Sequence, residues 1–439
     1  MIFVLNCIAK KKCIAMKEEF LHYIWKHQLF SKKDLVTTAA KKVSIHSVGL
    51  HNHNSGPDFF NGKIEIDNLV WAGNIEIHVK SSDWYLHKHE SDVNYDTVVL
   101  HVVWEDDVEI FDKSNQPLAT IEISNFISKD VLENYHRLFS KELRWIPCEK
   151  LLNSVDSFVM DNWKMRLYFD RLEAKSKLID DLLLVSNNDY EAVLFTLLMK
   201  NFGLKINGES FLTLANSIDF SVIRKEQNDV LKLNALLFGQ AGFLDTQIED
   251  IYYLKLKSEY EFLKHKYNLT SINENQFQFF KIRPSNFPTI RIAQIGAIYH
   301  QNQSLFSKLM RFTKLEEFYD LFTVSLNEFW ETHYTFKKIA PKKLKKMTTS
   351  FVDLLLINTI IPLKFNYLKS LNANIDEDFL SFLKNIKAEK NAIVSKFSEL
   401  KIKADNAYDS QALLELKNNY CAKKRCLQCA IGSSLLRKI

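Results

Sequence analysis

The chain has 439 residues, of which 46% are hydrophobic and 25% charged, and this composition excludes a low-complexity or fibrous protein. Its length exceeds that of one typical core and predicts two or three domains. The 58 basic and 53 acidic residues give a formal charge of +5, which permits nucleic-acid binding but does not argue for it. Only 10 glycines and 7 prolines are present, and their scarcity favours long helices.

The first fifteen residues do not read as a signal peptide. Their apolar run is too short, and the lysines follow it rather than precede it. We expect residues 1–15 to be a poorly ordered extension, or the true start to be Met16. No later segment reaches the roughly 18 apolar residues of a membrane span, so a cytoplasmic protein without membrane contact is expected. Residues 16–30 predict a helix, because their apolar residues recur with helical spacing.

The next stretch, up to about residue 125, changes to a β-prone pattern. Asp67-Asn68 predicts a tight turn between two of its strands. The predicted strands are Val43–His46, Gly62–Ile66, Val70–Lys80, Thr97–Trp104, Val108–Phe111 and Ala119–Ile123. Beyond them the pattern is helical to the end. The sequence thus predicts an α+β protein, with an α/β domain over residues 16–125 and a large all-α domain over residues 126–439.

The most informative segment, GPDFFNGKIEIDNLVWAGNIEIHVK, spans residues 56–80. Residues two apart in a strand share a face, so Glu76, His78 and Lys80 are expected to project together. Asp58 comes just ahead of the predicted strand pair. Two carboxylates with an imidazole and an ammonium group are suited to holding Mg²⁺ or Mn²⁺ and to activating a water. We therefore predict that Asp58 and Glu76 bind the metal; the alternative is a turn residue and a solvated strand residue.

Seven of the 13 histidines crowd into 56 residues. They are His46, His51, His53, His78, His87, His89 and His101. His101 lies in an apolar strand, where an imidazole without a role would be costly. His87, His101 and Tyr95 are candidates for supporting roles; the alternative for each histidine is a surface position or a satisfied core contact, and for Tyr95 it is packing at the domain edge. A second functional hypothesis is a metallohydrolase acting on a small molecule, with His78, His87 or His101 binding Zn²⁺ or Mn²⁺ directly.

The carboxyl end carries a C-x4-C-x2-C motif formed by Cys421, Cys426 and Cys429. A tetrahedral Zn²⁺ or a [4Fe–4S] cluster needs a fourth ligand. Cys148 is the only other cysteine outside residues 1–15. We predict that these four cysteines form a structural site for Zn²⁺ or [4Fe–4S], and the spacing does not choose between the two. Free buried thiols are the alternative.

Two further segments are noted, and each has a structural interpretation. Six lysines fall within residues 337–346, as in a phosphate-contacting patch or, more commonly, a solvated face. In LLFGQAGFL, Gly239 and Gly242 are expected to allow a turn or a close approach of two helices.

The chain resembles an uncharacterised bacterial family, domain of unknown function 2851. The resemblance rests on GPDFFNG, GNIEIHVKSSDW, YDTVVLHVVW, LLFGQAGFL, RPSNFPTIRIAQIG and CAKKRCLQCAIG. These motifs extend over nearly all of the chain from Met16 onward. The resemblance implies no particular activity.

A weaker resemblance is to the PD-(D/E)XK nuclease superfamily, which pairs Asp with (D/E)xK on adjacent strands, often with a Glu on a preceding helix. It implies a restriction-endonuclease-like N-terminal domain, with Asp58 and Glu76 as the metal-binding acids and Glu19 as the upstream acid. His78 stands where the superfamily has lysine, and Lys80 shares its predicted face. Some relatives carry a four-cysteine iron–sulfur clasp, although here the first cysteine follows the nuclease-like region.

The function implied by this resemblance is metal-dependent hydrolysis of phosphodiester bonds in DNA or RNA. His78 and Lys80 would orient the water and stabilise the charge on the phosphate. Nucleic acid is the expected partner, and no protein partner is indicated. A non-catalytic nucleic-acid-binding or scaffold protein with a degenerate nuclease core is the alternative from another class.

Overall fold

A computed structural model describes residues 16–140, 144–373 and 377–438 of the chain. The predicted extension over residues 1–15 lies outside the described residues. The chain divides into two compact units. Unit 1 is Met1–Trp163 with Leu416–Ile439, and unit 2 is Lys164–Glu415. Unit 1 carries the main sheet, and unit 2 is mostly helical, so the expected mixed α/β architecture with a helical remainder is confirmed.

Unit 1 is built on a six-stranded mixed sheet, in which the strands lie in the order β1-β3-β4-β5-β6 and β2 pairs with β3. Strand β3 pairs antiparallel with β1, β2 and β4, whereas β5 runs parallel to both β4 and β6. The bounds are β1 Val43–Ser47, β2 Leu50–His51, β3 Phe59–Ile66, β4 Leu69–Lys80, β5 Val98–Glu105 and β6 Thr120–Glu122. In unit 2, β7 (His333–Thr335) and β8 (Lys338–Ile339) form a separate pair.

The β3–β4 hairpin turns where the sequence predicts it. Asp67 and Asn68 have φ values of +48° and +65°, the left-handed pair that a two-residue hairpin turn requires. The predicted strand Val108–Phe111 is wrong, because only Phe111 forms a bridge, with Pro117. The Val108 N–H instead donates to Ser81 Oγ over 2.9 Å, and this bond holds the segment against the end of β4.

Helices of unit 1 pack on this sheet. Five of the residues of the first helix, from Phe20 to Trp25, are buried, which gives it one apolar side against the strands. The helices are α1 Glu18–His27, α2 Asp83–Leu86, α3 Lys129–Leu138 and, at the carboxyl end, α19 Ala430–Arg437. A fourth helix from the N-terminal part, α4 Ser157–Val185, contains the boundary between the units.

The remaining helices belong to unit 2. They are α5 Tyr190–Phe202, α6 Leu204–Asn216, α7 Phe220–Glu226, α8 Val230–Gln240, α9 Ile251–Tyr267, α10 Pro288–Gln301, α11 Leu305–Arg311, α12 Leu315–Leu321, α13 Phe329–Thr332, α14 Thr349–Leu355, α15 Ile361–Ser370, α16 Glu377–Asn385, α17 Ala392–Glu399 and α18 Ala407–Glu415. A π-helical stretch, Leu356–Ile360, joins α14 to α15, and a second, Leu416–Cys421, follows α18.

The continuous helical stretch Thr349–Ser370 is long and apolar enough to cross a membrane, with a mean hydropathy of 1.3 in its most apolar window. The sequence-based expectation that no segment reaches this limit is therefore too strict. However, 72% of that window is buried inside the protein, as in a core helix of a soluble protein.

Candidate functional site

The candidate site lies where the residue ahead of β3 meets the middle of β4. The Asp58 N–H donates to Glu76 Oε2 over 3.1 Å, and the Ile77 N–H donates to Asp58 Oδ2 over 2.9 Å. Glu76 thus accepts a hydrogen bond from the backbone of Asp58, and Asp58 accepts one from the residue that follows Glu76. The structure brings Asp58 and Glu76 together, as the sequence predicts.

The loop before Asp58 is held in place by one asparagine. The Asn52 side-chain amide donates to the carbonyl oxygens of Ser55 and Pro57, at 3.1 and 3.0 Å. The Asn52 N–H also donates to the Asp58 carbonyl over 2.7 Å. Gly56 has a φ of +97°, which side chains other than glycine rarely adopt. This local network sets the direction in which Asp58 enters the site.

Two imidazoles lie close to the other oxygen of Glu76, and a third lies beside one of them. Glu76 Oε1 lies 3.5 Å from His78 Nε2 and 3.4 Å from His89 Nε2. His87 Nδ1 lies 3.2 Å from His78 Nε2. One ring nitrogen from each histidine lies within 4.8 Å of the other two. The three histidines therefore form one compact group, and Glu76 contacts two of them; we call these four side chains the His/Glu cluster.

The corner after β4 explains why His87 and His89 face the same way. The short helix α2 ends at Leu86, His87 caps it, and Lys88 then adopts the left-handed conformation with a φ of +61°. This conformation reverses the chain after a helix end. Both neighbouring imidazoles consequently turn back toward β4, where His78 and Glu76 lie.

His101 on β5 contacts the cluster through His78. Its Nε2 lies 2.8 Å from His78 Nδ1, and its side chain is fully buried. When His78 Nε2 is a ligand, its Nδ1–H is free to donate to His101, which fixes the orientation of the ring. Outer hydrogen bonds of this kind are general for metal-binding histidines. We therefore regard His101 as a positioning residue.

Burial sets the protonation of the cluster. Burial, reinforced by repulsion from the Asp58 carboxylate, raises the pKa of Glu76 to about 9. Burial, with the neighbouring imidazoles of His89 and His87, lowers the pKa of His78 to about 3. The pKa of His101 lies well below its usual value for the same reason. The buried histidines are thus neutral at pH 7, the form in which imidazole binds a metal.

A second group of side chains lies beside Asp58. His22 Nε2 from α1 is 3.1 Å from Asp58 Oδ2 and 3.6 Å from Glu18 Oε1. Burial opposes a charge on His22, but the Asp58 and Glu18 carboxylates outweigh it and raise the pKa of His22. Burial raises the pKa of Glu18. The three side chains lie within metal-binding reach of one another.

Aromatic rings form the wall behind the His/Glu cluster. The Tyr95 ring stacks on His89 with centroids 3.7 Å apart. Trp84 is buried and contacts the edges of His89 and His101. Tyr95 therefore lies at the site, as predicted, and it holds His89 in place by stacking.

Two predicted site residues lie elsewhere. Lys80 projects into solvent, with its side chain 47% exposed, and its Nζ is 3.5 Å from both Glu105 and Asp107. The chain turns into α2 directly after Lys80, so the shared face with His78 ends there. Glu19 is exposed, and it is Glu18, one residue earlier, that reaches His22 and Asp58.

Three residues of the site were not chosen from the sequence: Glu18, His22 and His89. His22 carries the clearest overlooked signal, because it is a polar residue among the five buried residues of α1. Glu18 and His22 are also four residues apart, which places them on one side of a helix. His89 was one of the crowded histidines, but nothing in the sequence reveals the chain reversal at Lys88.

The four predicted cysteines come together at a separate place in unit 1. Cys148, Cys421, Cys426 and Cys429 line one small apolar cavity, together with Leu138, Pro147, Leu416, Tyr420 and Ile431. Burial and the neighbouring sulfurs raise the pKa of Cys148 and of Cys426 to about 12. Among these described residues, no three sulfurs lie within 4.8 Å of one another.

Comparison with known proteins identifies the family. The chain matches, over residues 18–392, the family described as "Protein of unknown function (DUF2851)". The match covers most of the chain, so the protein belongs to this family, as its motifs predict. No curated protein and no solved structure matches the chain. The comparisons give no support to the PD-(D/E)XK resemblance, and the function has to be inferred from the site.

Proposed function

We propose that this protein is a divalent-metal-dependent nuclease that hydrolyses phosphodiester bonds in DNA or RNA. The observation that carries the proposal is the spacing within the His/Glu cluster. Three separations between its ligand atoms are 3.2, 3.4 and 3.5 Å. An ion held tetrahedrally by bonds of about 2.0–2.1 Å needs ligand atoms about 3.3–3.4 Å apart. The three imidazoles, whose nitrogens lie within 4.8 Å of one another, are therefore close enough to share one metal ion, and Glu76 Oε1 lies beside two of them.

The ligand types favour a transition metal. Three imidazoles and one carboxylate suit Zn²⁺ and related ions, whereas Mg²⁺ prefers oxygen ligands. We propose Zn²⁺ or Mn²⁺ in the His/Glu cluster. Mg²⁺ or Mn²⁺ bound by Asp58 and Glu76, as the sequence suggested, remains the alternative, and the group Glu18, His22 and Asp58 would then supply further ligands.

The order of the elements supports a nuclease. Asp58 precedes β3, Glu76 lies on the antiparallel neighbour β4, and β5 follows parallel to β4. An acid from the preceding helix, Glu18, completes the arrangement that the PD-(D/E)XK resemblance implies. His78 takes the place of the superfamily lysine and points into the site, so a restriction-endonuclease-like core with altered ligands is our proposal.

The side chains divide the chemical work. A bound ion would polarise a phosphoryl oxygen and lower the pKa of a water molecule. Glu76 and the three imidazoles hold the ion, and His101 keeps the His78 ring in position. The Asp58 and Glu18 carboxylates raise the pKa of His22 and so favour its protonated form. His22 would face the phosphate charge and give its proton to the leaving oxygen.

The imidazole-rich ligand set also favours a second candidate, the metallohydrolase acting on a small molecule. Its predicted ligands His78 and His87 lie in the cluster, whereas His101 lies behind it. The two candidates share the metal but differ in substrate. Activity on small esters or amides without activity on nucleic acids would select the second.

The test measures metal content and cleavage on the same protein. We expect about one Zn²⁺ or Mn²⁺ per chain in the His/Glu cluster, and metal-dependent cleavage of single- or double-stranded DNA or RNA. His87→Ala should lower metal affinity and cleavage by at least about tenfold, because it removes one direct ligand. His87 is exposed, so its removal leaves the core packing intact.

His46→Ala is the matched control. His46 is an exposed histidine of the same sheet and is paired with Glu65 on β3. It belongs neither to the His/Glu cluster nor to the group of Glu18, His22 and Asp58. It should leave metal content and cleavage unchanged. Binding of nucleic acid without cleavage at any metal concentration would instead identify the non-catalytic alternative. Cleavage that persists at full rate in His87→Ala would rule out the proposed metal site.

For the four cysteines we propose a [4Fe–4S] cluster that clasps the carboxyl end onto unit 1. A single Zn²⁺ with bonds of about 2.3 Å would need sulfurs about 3.8 Å apart. The sulfurs here are more widely placed, since no three lie within 4.8 Å. Cysteines that each bind a different iron of a cluster are farther apart, and the apolar lining suits a buried cluster. Zn²⁺ remains the alternative from the sequence.

A further inference from the structure

A wide groove in unit 1 runs from the candidate site toward the cysteine segment. One side is formed by α1 and by the loop 51–54, and the other by the segment 423–433. His22 and His51 lie at the end near the site, where their rings meet edge to face with centroids 5.4 Å apart. The groove therefore reaches His22, the residue that contacts Asp58.

The groove is strongly cationic. Its lining includes Lys17, Lys26, Lys423, Lys424 and Arg425, and Glu19 is the only carboxylate among the described residues that line it. Within the described part of the chain, none of these five cations forms an ion pair with a carboxylate. A concave surface with one sign of charge concentrates its field and attracts a polyanion.

Aromatic side chains lie among the cations. Tyr23, Phe139 and Trp163 line the groove, together with the imidazoles of His27 and His53. Cationic grooves interleaved with aromatic rings are typical of sites for single strands, because unpaired bases can stack on the rings. A duplex, whose bases are already stacked, gains only the phosphate contacts.

We propose that this groove binds a single-stranded nucleic acid and leads its backbone to the His22–Asp58 end. The inference rests on the proposed nuclease function and narrows its substrate to single strands. The cysteine motif gives the groove one of its walls, because Lys423, Lys424 and Arg425 all lie between Cys421 and Cys426. Folding of the cysteine segment thereby places three cations along the strand.

The experiment compares two double variants by fluorescence anisotropy, using a labelled 20-nucleotide DNA strand, its RNA equivalent and a DNA duplex. Binding is measured without added divalent metal, so that it does not depend on cleavage. Lys423→Ala with Lys424→Ala removes two groove cations. The matched control, Lys32→Ala with Lys33→Ala, removes two exposed lysines of unit 1 that do not line the groove.

We expect both strands to bind more tightly than the duplex. Each phosphate contact to a single strand contributes about 0.7 to the slope of log K against log salt, so the groove variant should lower that slope by about 1.4 and weaken binding roughly 25-fold at 0.1 M salt. The control should match the unmodified protein. Iron and zinc analysis must show that the groove variant keeps its cysteine-bound metal.

Three results would overturn the inference: equal or tighter binding of the duplex, equal losses in the two variants, or no binding of strands at all. The proposed function can fail separately. Strands that bind in the groove but are never cut contradict the nuclease and leave the groove assignment standing. Hydrolysis of bis(p-nitrophenyl) phosphate without strand binding supports a phosphodiesterase and contradicts the groove.

Discussion

Glu76 is the residue on which the candidate site depends most. It accepts a hydrogen bond from Asp58 through one oxygen and faces two imidazoles with the other. Strand alternation predicted that Glu76 and His78 share a face, and they do. The same alternation failed for Lys80, because Glu105 and Asp107 attract its ammonium group where the strand ends. Periodicity predicts faces but not where a long side chain finds its partner.

Glu76 should make metal binding release a proton. Its pKa of about 9 means that the metal-free protein holds it protonated at pH 7, whereas His78, with a pKa of about 3, is already neutral. Binding of Zn²⁺ or Mn²⁺ should therefore release about one proton from Glu76 at pH 7. Isothermal titration in buffers of different ionisation enthalpy measures this number.

The matched variant is Glu76→Gln, which keeps an oxygen for the Asp58 N–H. It should release no proton and bind the metal at least about tenfold more weakly. In the metal-free protein, the raised pKa of Glu76 favours folding below about pH 4.5, and that contribution is lost as pH rises through about 9. The variant should lack this loss. Equal proton release from both proteins would refute the assignment of Glu76.

At the scale of elements, local sequence patterns predicted a turn, several strands and a close contact. The Asp67-Asn68 turn, the strands on either side of it and the close approach at Gly239 all follow from local sequence. The chain reversal at Lys88 does not, because lysine has no special preference for a positive φ. Only tertiary packing around His87 and His89 makes that conformation favourable. The positions of His87 and His89 in the cluster therefore depend on tertiary packing and do not follow from the local sequence.

Gly239 tests the close packing of α8 on α9. A Cβ at this position would lie 2.0 Å from the ring of Tyr260, which is buried and cannot move aside. Gly239→Ala should therefore lower the free energy of unfolding by about 2–3 kcal/mol. Thermal or denaturant unfolding of the full chain measures the change.

Gly208 of α6 provides the control. A Cβ there meets only the Lys200 carbonyl, at 3.3 Å, so Gly208→Ala should change stability by no more than about 1 kcal/mol. If both variants were equally stable, the packing of Tyr260 on α8 would have to differ from the structure.

At the scale of the whole molecule, the carboxyl end belongs to the unit that the N-terminal part begins. The Tyr23 hydroxyl lies 2.7 Å from Ser433 Oγ, and Asn134 Nδ2 donates to the Lys438 carbonyl over 2.9 Å. The spacing of the cysteines pointed to this return, since three of them needed a distant fourth. Nothing in the local sequence shows that the helical residues between them, 164–415, form their own unit.

The proposed iron–sulfur site should be detectable in the metal content of the protein and in its unfolding temperature. Protein purified without oxygen should contain about four irons per chain and absorb visible light, as [4Fe–4S] proteins do. Cys426→Ser should lose this metal and unfold at a lower temperature, because the segment 421–429 loses its anchor. Cys7→Ser and Cys13→Ser, outside the motif, serve as controls and should keep the iron. One tightly bound zinc in place of iron would contradict the cluster and support the alternative.

The division of the groove between distant parts of the chain has a consequence for synthesis. A ribosome makes the residues of the His/Glu cluster well before it makes the cations at 423–425. A nascent or truncated chain would therefore possess the proposed metal ligands while lacking one wall of the proposed strand-binding groove.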